Sequence, residues 1–145
     1  MDVDVNFQIA YVLTIITILV KFSLAAYLFK KYRDVETVSG QKINFMMGML
    51  LLLLGYGISR ILLFIFDFYW TQLNPDLFYV YPNILLWKAA MFISSIGGIP
   101  LIYVVERDIY QLKTKKIPSA IIFIVAVIAL VYPVNNKADF DTVSV

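Results

Sequence analysis

The 145-residue chain is 61% hydrophobic and 15% charged, with a mean hydropathy of +0.83. Soluble domains are about half apolar and about a quarter charged, so this much apolar surface calls for a bilayer rather than water. Cys and His are both absent, which excludes disulfides, thiolate chemistry and the commonest transition-metal ligand, and the net charge of +2 says less than the placement of the bases.

A hydrocarbon core about 30 Å thick takes ~20 apolar residues in a helix, and three runs reach that length. The first, about residues 7–29, is interrupted by Lys21. Its flank is acidic (Asp2, Asp4) and the run is longer than a signal-peptide core, so it reads as an uncleaved first span. Thr14, Thr17 and Lys21 share one of its faces.

The second run, residues 45–70, reads FMMGMLLLLLGYGISRILLFIFDFYW, with Arg60 deep inside it. A charge at that depth costs roughly 2.5–3.5 kcal/mol on insertion scales, so Arg60 is the first candidate site residue. Tyr56, Arg60 and Asp67 share a face, and Gly48, Gly55 and Ser59 form a separate ridge of small residues. By its rise, Arg60 lies roughly 12 Å from the far end of its span, and Lys21 roughly 12 Å from the opposite flank of the first.

The turn that follows carries Asn74-Pro75 and Pro82-Asn83 turn signals. It holds Phe66, Phe68, Tyr69, Trp70, Phe78, Tyr79, Tyr81 and Trp87 on and around it. Aromatics gather at membrane interfaces, so these read as an interfacial belt, with an aromatic ligand cage as the alternative.

The third run, about residues 83–105, has Lys88 near its start and Glu106 at its end. Ala90, Ser94 and Gly98, with Gly97 adjoining, form a small-residue ridge suited to close packing against the second helix or to self-association. Pro100 suggests a kink. The fourth run, residues 117–134, is shorter, about 27 Å at full helical rise. It carries no polar stripe, which makes it the candidate for a peripheral or partner-facing helix. Residues 135–145 read as a short polar tail.

Lys30, Lys31, Arg33 and Lys42 follow the first run, and Arg107, Lys113, Lys115 and Lys116 precede the fourth; the opposite side has Lys137 alone. Basic short loops stay cytoplasmic. The expected fold is therefore an all-α, polytopic bundle of the cell membrane over residues 1–134, with four transmembrane helices and both termini extracytoplasmic. The basic loops would attract anionic lipids.

The intramembrane charges suggest two sites. Arg60, Asp67, Lys88 and Tyr56 form a candidate polar cluster in the outer half, for ligand binding or for structure. Lys21 and Glu106 are the inner-half polar residues, within reach of a stretched contact. Lys88 and Asp67 also lie close enough to an interface to snorkel.

No carboxylates pair at one depth and no metal-ligand cluster is present, so an enzyme is disfavoured, and no cofactor or nucleic-acid signature is seen. The readings that remain are a non-enzymatic sensor or assembly module and, alternatively, a subunit of an oligomeric anion transporter or channel. Either accommodates a homo-oligomer or a partner membrane protein.

The pattern GxSRxxLFxxDFYW at Gly57–Trp70, a third helix led by Trp87-Lys88 and ending in Val104-Val105-Glu106, and the loop KTKKIP resemble the N-terminal part of seven-helix, sensor-like membrane proteins of unassigned function in archaea. The resemblance implies a helical bundle and supplies no activity or site residue. Such proteins continue to seven spans, so it implies a shortened relative or half of a bundle.

Overall fold

The computed structural model describes residues 5–40, 44–111, 116–134 and 136–144. Asp2, Asp4, Lys42, Lys113 and Lys115, which carried part of the charge-asymmetry argument, lie outside the described residues. The described residues are helical throughout apart from turns. The helices are α1 (Val5–Ser39), α2 (Asn44–Phe64), α3 (Asn83–Asp108), α4 (Ile117–Val131) and α5 (Lys137–Ser144). A π-helical turn, Ile65–Trp70, extends α2, and a 3-10 turn spans Pro75–Leu77.

Three segments are long and apolar enough to cross a membrane: α1, α2 with its π-helical extension, and α3; α4 is a shorter apolar helix. Extensive contacts run between consecutive helices, α1 on α2, α2 on α3 and α3 on α4. The chain therefore forms a row of antiparallel helices in which α2 is the floor between α1 and α3. Large apolar side chains such as Leu13, Leu19, Leu24, Ile121, Ile124 and Ile128 stand exposed along the flanking helices. An exposed apolar surface of that extent marks an interaction with membrane or protein.

Helix ends follow local chemistry. α1 continues through Lys30, Lys31 and Arg33, which the sequence places in a linker, and stops at Gly40. Gly40 takes φ +65° and its N–H donates to the Glu36 carbonyl at 3.0 Å, a glycine-terminated helix end. The π-turn ends at Thr71, whose N–H and hydroxyl both donate to the Phe66 carbonyl at 2.9 and 2.8 Å. Gln72 and Leu73 then reverse the chain with positive φ. In the loop the Asn74 side chain accepts from the Asp76 N–H at 3.0 Å, the local turn bond that Asn-Pro sequences favour.

The small-residue ridges set the α2–α3 seam. A Cβ on Gly55 would sit 2.8 Å from the Gly97 Cα, and one on Gly48 2.9 Å from the Leu101 Cα. Both obstacles are backbone, so only glycine allows this approach. Gly98 faces the Leu52 side chain at an ordinary 3.6 Å, so Gly97 rather than Gly98 makes the contact. Gly57 serves α1 instead, where its missing side chain admits the Phe22 ring.

The aromatics divide. Tyr69, Trp70 and Tyr81 are exposed as a belt requires, but Phe66 is 1% exposed, and Phe68 and Trp87 are buried. Phe66, Ile84, Trp87, Val134 and Phe140 form a core cluster. Phe140 lies on α5, within residues expected to be a polar tail. Its ring stands 5.0 Å from Trp87 and 5.7 Å from Phe78, so this short helix docks on the aromatic end of α3.

Replacing Gly55 with Ala is expected to cost about 1–3 kcal/mol, because the added methyl meets backbone that cannot rotate away. Gly98→Ala should be close to neutral. Melting of the two variants in detergent, side by side, checks the seam; equal melting would place the close approach elsewhere.

Candidate functional site

At mid-length of the row, α1, α2 and α3 enclose a groove of about 210 Å³ lined by Lys21, Tyr56, Ser59, Arg60, Leu63, Met91 and Ser94. The i, i+7 spacing of Thr14 and Lys21 puts both on the α1 face that looks at α2. Arg60 Nη2 donates to Thr14 Oγ1 at 3.2 Å. The Lys21 ammonium stands 5.6 Å from the centre of the Tyr56 ring, a cation–π distance. Ser94 Oγ turns away to donate to the Met91 carbonyl at 2.8 Å. The donors left on the lining side chains are thus the two cations, the Ser59 hydroxyl and the Tyr56 phenol.

Among the described residues, neither Lys21 nor Arg60 has a carboxylate within 4 Å; the ion pair there is Arg107–Asp108, at 2.6 Å. Asp67 lies within electrostatic reach of Arg60 without forming a pair. Its place in the π-turn fixes its backbone: the Asp67 carbonyl accepts from the Leu73 N–H at 2.7 Å.

The structure regroups the expected site residues. Arg60 and Tyr56 share a cavity, as expected from their common face. Lys21, assigned by sequence to the other half of the span, joins them. Lys21 lies roughly 12 Å from one end of its apolar run and Arg60 roughly 15 Å from the opposite end of the antiparallel one, and in a layer about 30 Å thick those levels nearly coincide.

Lys88 and Glu106 go elsewhere. Lys88, only 8% exposed, donates from Nζ to the Tyr132 carbonyl at the C-terminal end of α4. Glu106, 2% exposed, accepts from Ser119 Oγ at 2.5 Å and from the Ser119 N–H at 3.3 Å, in the first turn of α4. Among the described residues no contact joins Lys88 to Arg60 or Asp67, or Lys21 to Glu106.

One cation and one carboxylate of α3 therefore close the two ends of α4. An anion at a helix N-terminus and a cation at its C-terminus each match the helix dipole and satisfy groups the helix leaves unbonded. The cap residue Lys116 makes no side-chain cap bond of its own, so Glu106 does that work from the neighbouring helix. α4, without a polar stripe, lies at the edge of the row with Ile121, Ile124 and Ile128 exposed, and α3 holds it at both ends. Ser119 and Tyr132 went unnoticed in the sequence. Their signal was positional, because residues at similar distances from a hairpin turn meet across it.

A larger, open cleft of about 680 Å³ lies at the aromatic end between α1 and the π-turn, lined by Asn6, Phe7, Ala10, Phe68, Gln72 and Leu73. Its lining carries no charge among the described residues. Among the described residues no group of His, Cys, Asp or Glu could hold a metal ion. No family model, curated protein or solved structure matches the chain.

Replacing Lys88 with Met, which keeps the stem and removes the ammonium, should loosen the C-terminal turn of α4. Amide exchange at Ala129–Tyr132 is expected to rise about tenfold or more, since a hydrogen bond from a charged group is worth ~1.5–3 kcal/mol, while exchange in α2 stays as it was. Unchanged exchange at those residues would show that the clamp contributes nothing.

Proposed function

We propose that the chain is a multi-pass protein of the cell membrane that works without catalysis as an assembly module, with the Lys21–Arg60 groove as its working surface. In this reading α1 to α4 cross in alternate directions and both termini lie outside. The support for this threading is the set of bases on one side, Lys30, Lys31, Arg33, Lys42, Arg107, Lys113, Lys115 and Lys116, against Lys137 on the other. α4 is the thin span, about 22 Å by helical rise, and Glu106 and Lys88 meet its two ends.

The observation that carries the function is the convergence of two cations on one groove at mid-length, with no carboxylate within ion-pairing distance among the described residues. Ionised side chains inside membrane helices are costly and mark pathways, ligand sites or partner contacts. A row of helices, open along one side of α2, offers such charges to a neighbour. The resemblance to the N-terminal part of seven-helix, sensor-like proteins fits the same role, since a row of this kind leaves a side for further helices to complete. A sensor is the special case in which what fills the groove changes with a signal.

The same cations favour one other reading, a subunit of an oligomeric anion channel or transporter. Chloride flux into liposomes that disappears in Arg60→Ala would move the assignment there.

Arg60→Leu tests the assembly reading. Membrane insertion should be unaltered, with Asp76→Cys labelled from outside and Ser39→Cys only after permeabilisation, against a background free of native cysteine. The size of the complex formed in host membranes should change. An unchanged complex, together with unchanged melting of the solubilised protein, contradicts the proposal.

A further inference from the structure

We propose that the groove receives a carboxylate from a membrane-spanning helix of a different protein, so that α1, α2 and α3 present one side of a heteromeric interface. This rests on the assembly reading above and adds the chemistry of the partner.

The charges inside the apolar runs are Lys21, Arg60, Asp67 and Lys88, with Glu106 buried at the end of the third. The ends of α4 satisfy Lys88 and Glu106. Of this set Lys21, Arg60 and Asp67 remain, with Asp67 within electrostatic reach of Arg60, which leaves an excess of one positive charge. One carboxylate restores balance, and the lining side chains carry donors that recognise it: an ammonium, a guanidinium, a phenol and the Ser59 hydroxyl. A guanidinium has five N–H donors, and among the described residues Arg60 uses one, on Thr14.

Depth selects the source of that carboxylate. The cations lie roughly 12 Å (Lys21) and roughly 15 Å (Arg60) from the nearer end of their apolar runs, too deep for a phosphate at the surface of a layer about 30 Å thick. A helix lying across the mouth of the groove can place an acidic side chain at that level. A cavity of about 210 Å³ accommodates such a side chain and some water, and not the helix itself. Tyr56, 44% exposed, stands at the opening.

A second copy of this chain does not supply the acid. All ten carboxylates of the sequence lie at the ends of the apolar runs or outside them. In the sequence Asp2 and Asp4 precede the first apolar run, Asp139 and Asp141 follow the last, and Asp34 and Glu36 follow the first. Asp67 and Asp76 lie at or beyond the aromatic end of the second, and Glu106 and Asp108 at the end of α3. None sits at mid-length, so the complementary charge belongs to another protein.

The test uses the full chain in bilayers with a probe helix, a single-span Leu/Ala peptide carrying one Glu at its centre. Energy transfer between labelled chain and peptide should show association about tenfold tighter for Glu than for a central Gln. The preference should vanish in both Lys21→Met and Arg60→Leu. Equal association of the Glu and Gln peptides, or a Glu preference that survives both substitutions, overturns the inference. Displacement of the Glu peptide by chloride at moderate concentration would also overturn it, because it identifies the groove as a free-anion site. If the peptide shows no preference but Arg60→Leu still changes the native complex, assembly stands and only the partner's chemistry is wrong.

Discussion

An ionised group held among apolar helices must meet a compensating charge or dipole, and the architecture of this protein follows from how each such group is answered. Glu106 and Lys88 meet the two ends of α4, where unbonded N–H and carbonyl groups carry complementary partial charge. That arrangement fixes the length, position and antiparallel sense of α4 against α3 without a polar residue in the body of α4 facing across. Arg60 is answered in part by Thr14, and Lys21 by the face of Tyr56. These two are the positions at which the chain's own resources run short.

Packing decides where the shortfall appears. Gly55 against Gly97 and Gly48 against Leu101 draw α2 and α3 together at backbone distance. Ser59 and Ser94, on the same ridges, are carried to the floor of the groove by that approach. On the other side of α2, Gly57 admits Phe22 and seats α1. The helices are thus held as a row, and the polar face of α2 opens between its two neighbours. At the aromatic end, the Phe66–Trp87–Phe140 cluster ties the π-turn, α3 and α5 into one core.

Much of this was legible in the sequence. Apolar run length located the helices, because hydrophobic thickness and helical rise are fixed quantities. Small residues at fourfold spacing located the α2–α3 seam, though not that Gly97 rather than Gly98 would make it. Shared faces linked Tyr56 with Arg60 and Thr14 with Lys21. Pairings between helices were not legible. Lys21 and Arg60 were separated by counting each from its nearer end, when antiparallel helices bring those levels together. Lys88 and Glu106 were matched to charged side chains, whereas their partners are the Tyr132 carbonyl and the hydroxyl and N–H of Ser119 at the two ends of α4. Phe66, Trp87 and Phe140 show the same limit, since composition cannot tell a belt aromatic from a core aromatic until the loop and α5 are folded over them.

The central claim is that two cations with no carboxylate in ion-pairing distance among the described residues make the groove beside Tyr56 electropositive at mid-length. Its most direct test is the reactivity of Tyr56→Cys in the purified protein, otherwise free of cysteine, toward small thiosulfonate reagents of opposite charge. The account predicts faster modification by the anionic reagent than by its cationic counterpart, with the preference lost when Arg60→Leu is added. Equal rates, a faster cationic reagent, or a preference indifferent to Arg60 would contradict it.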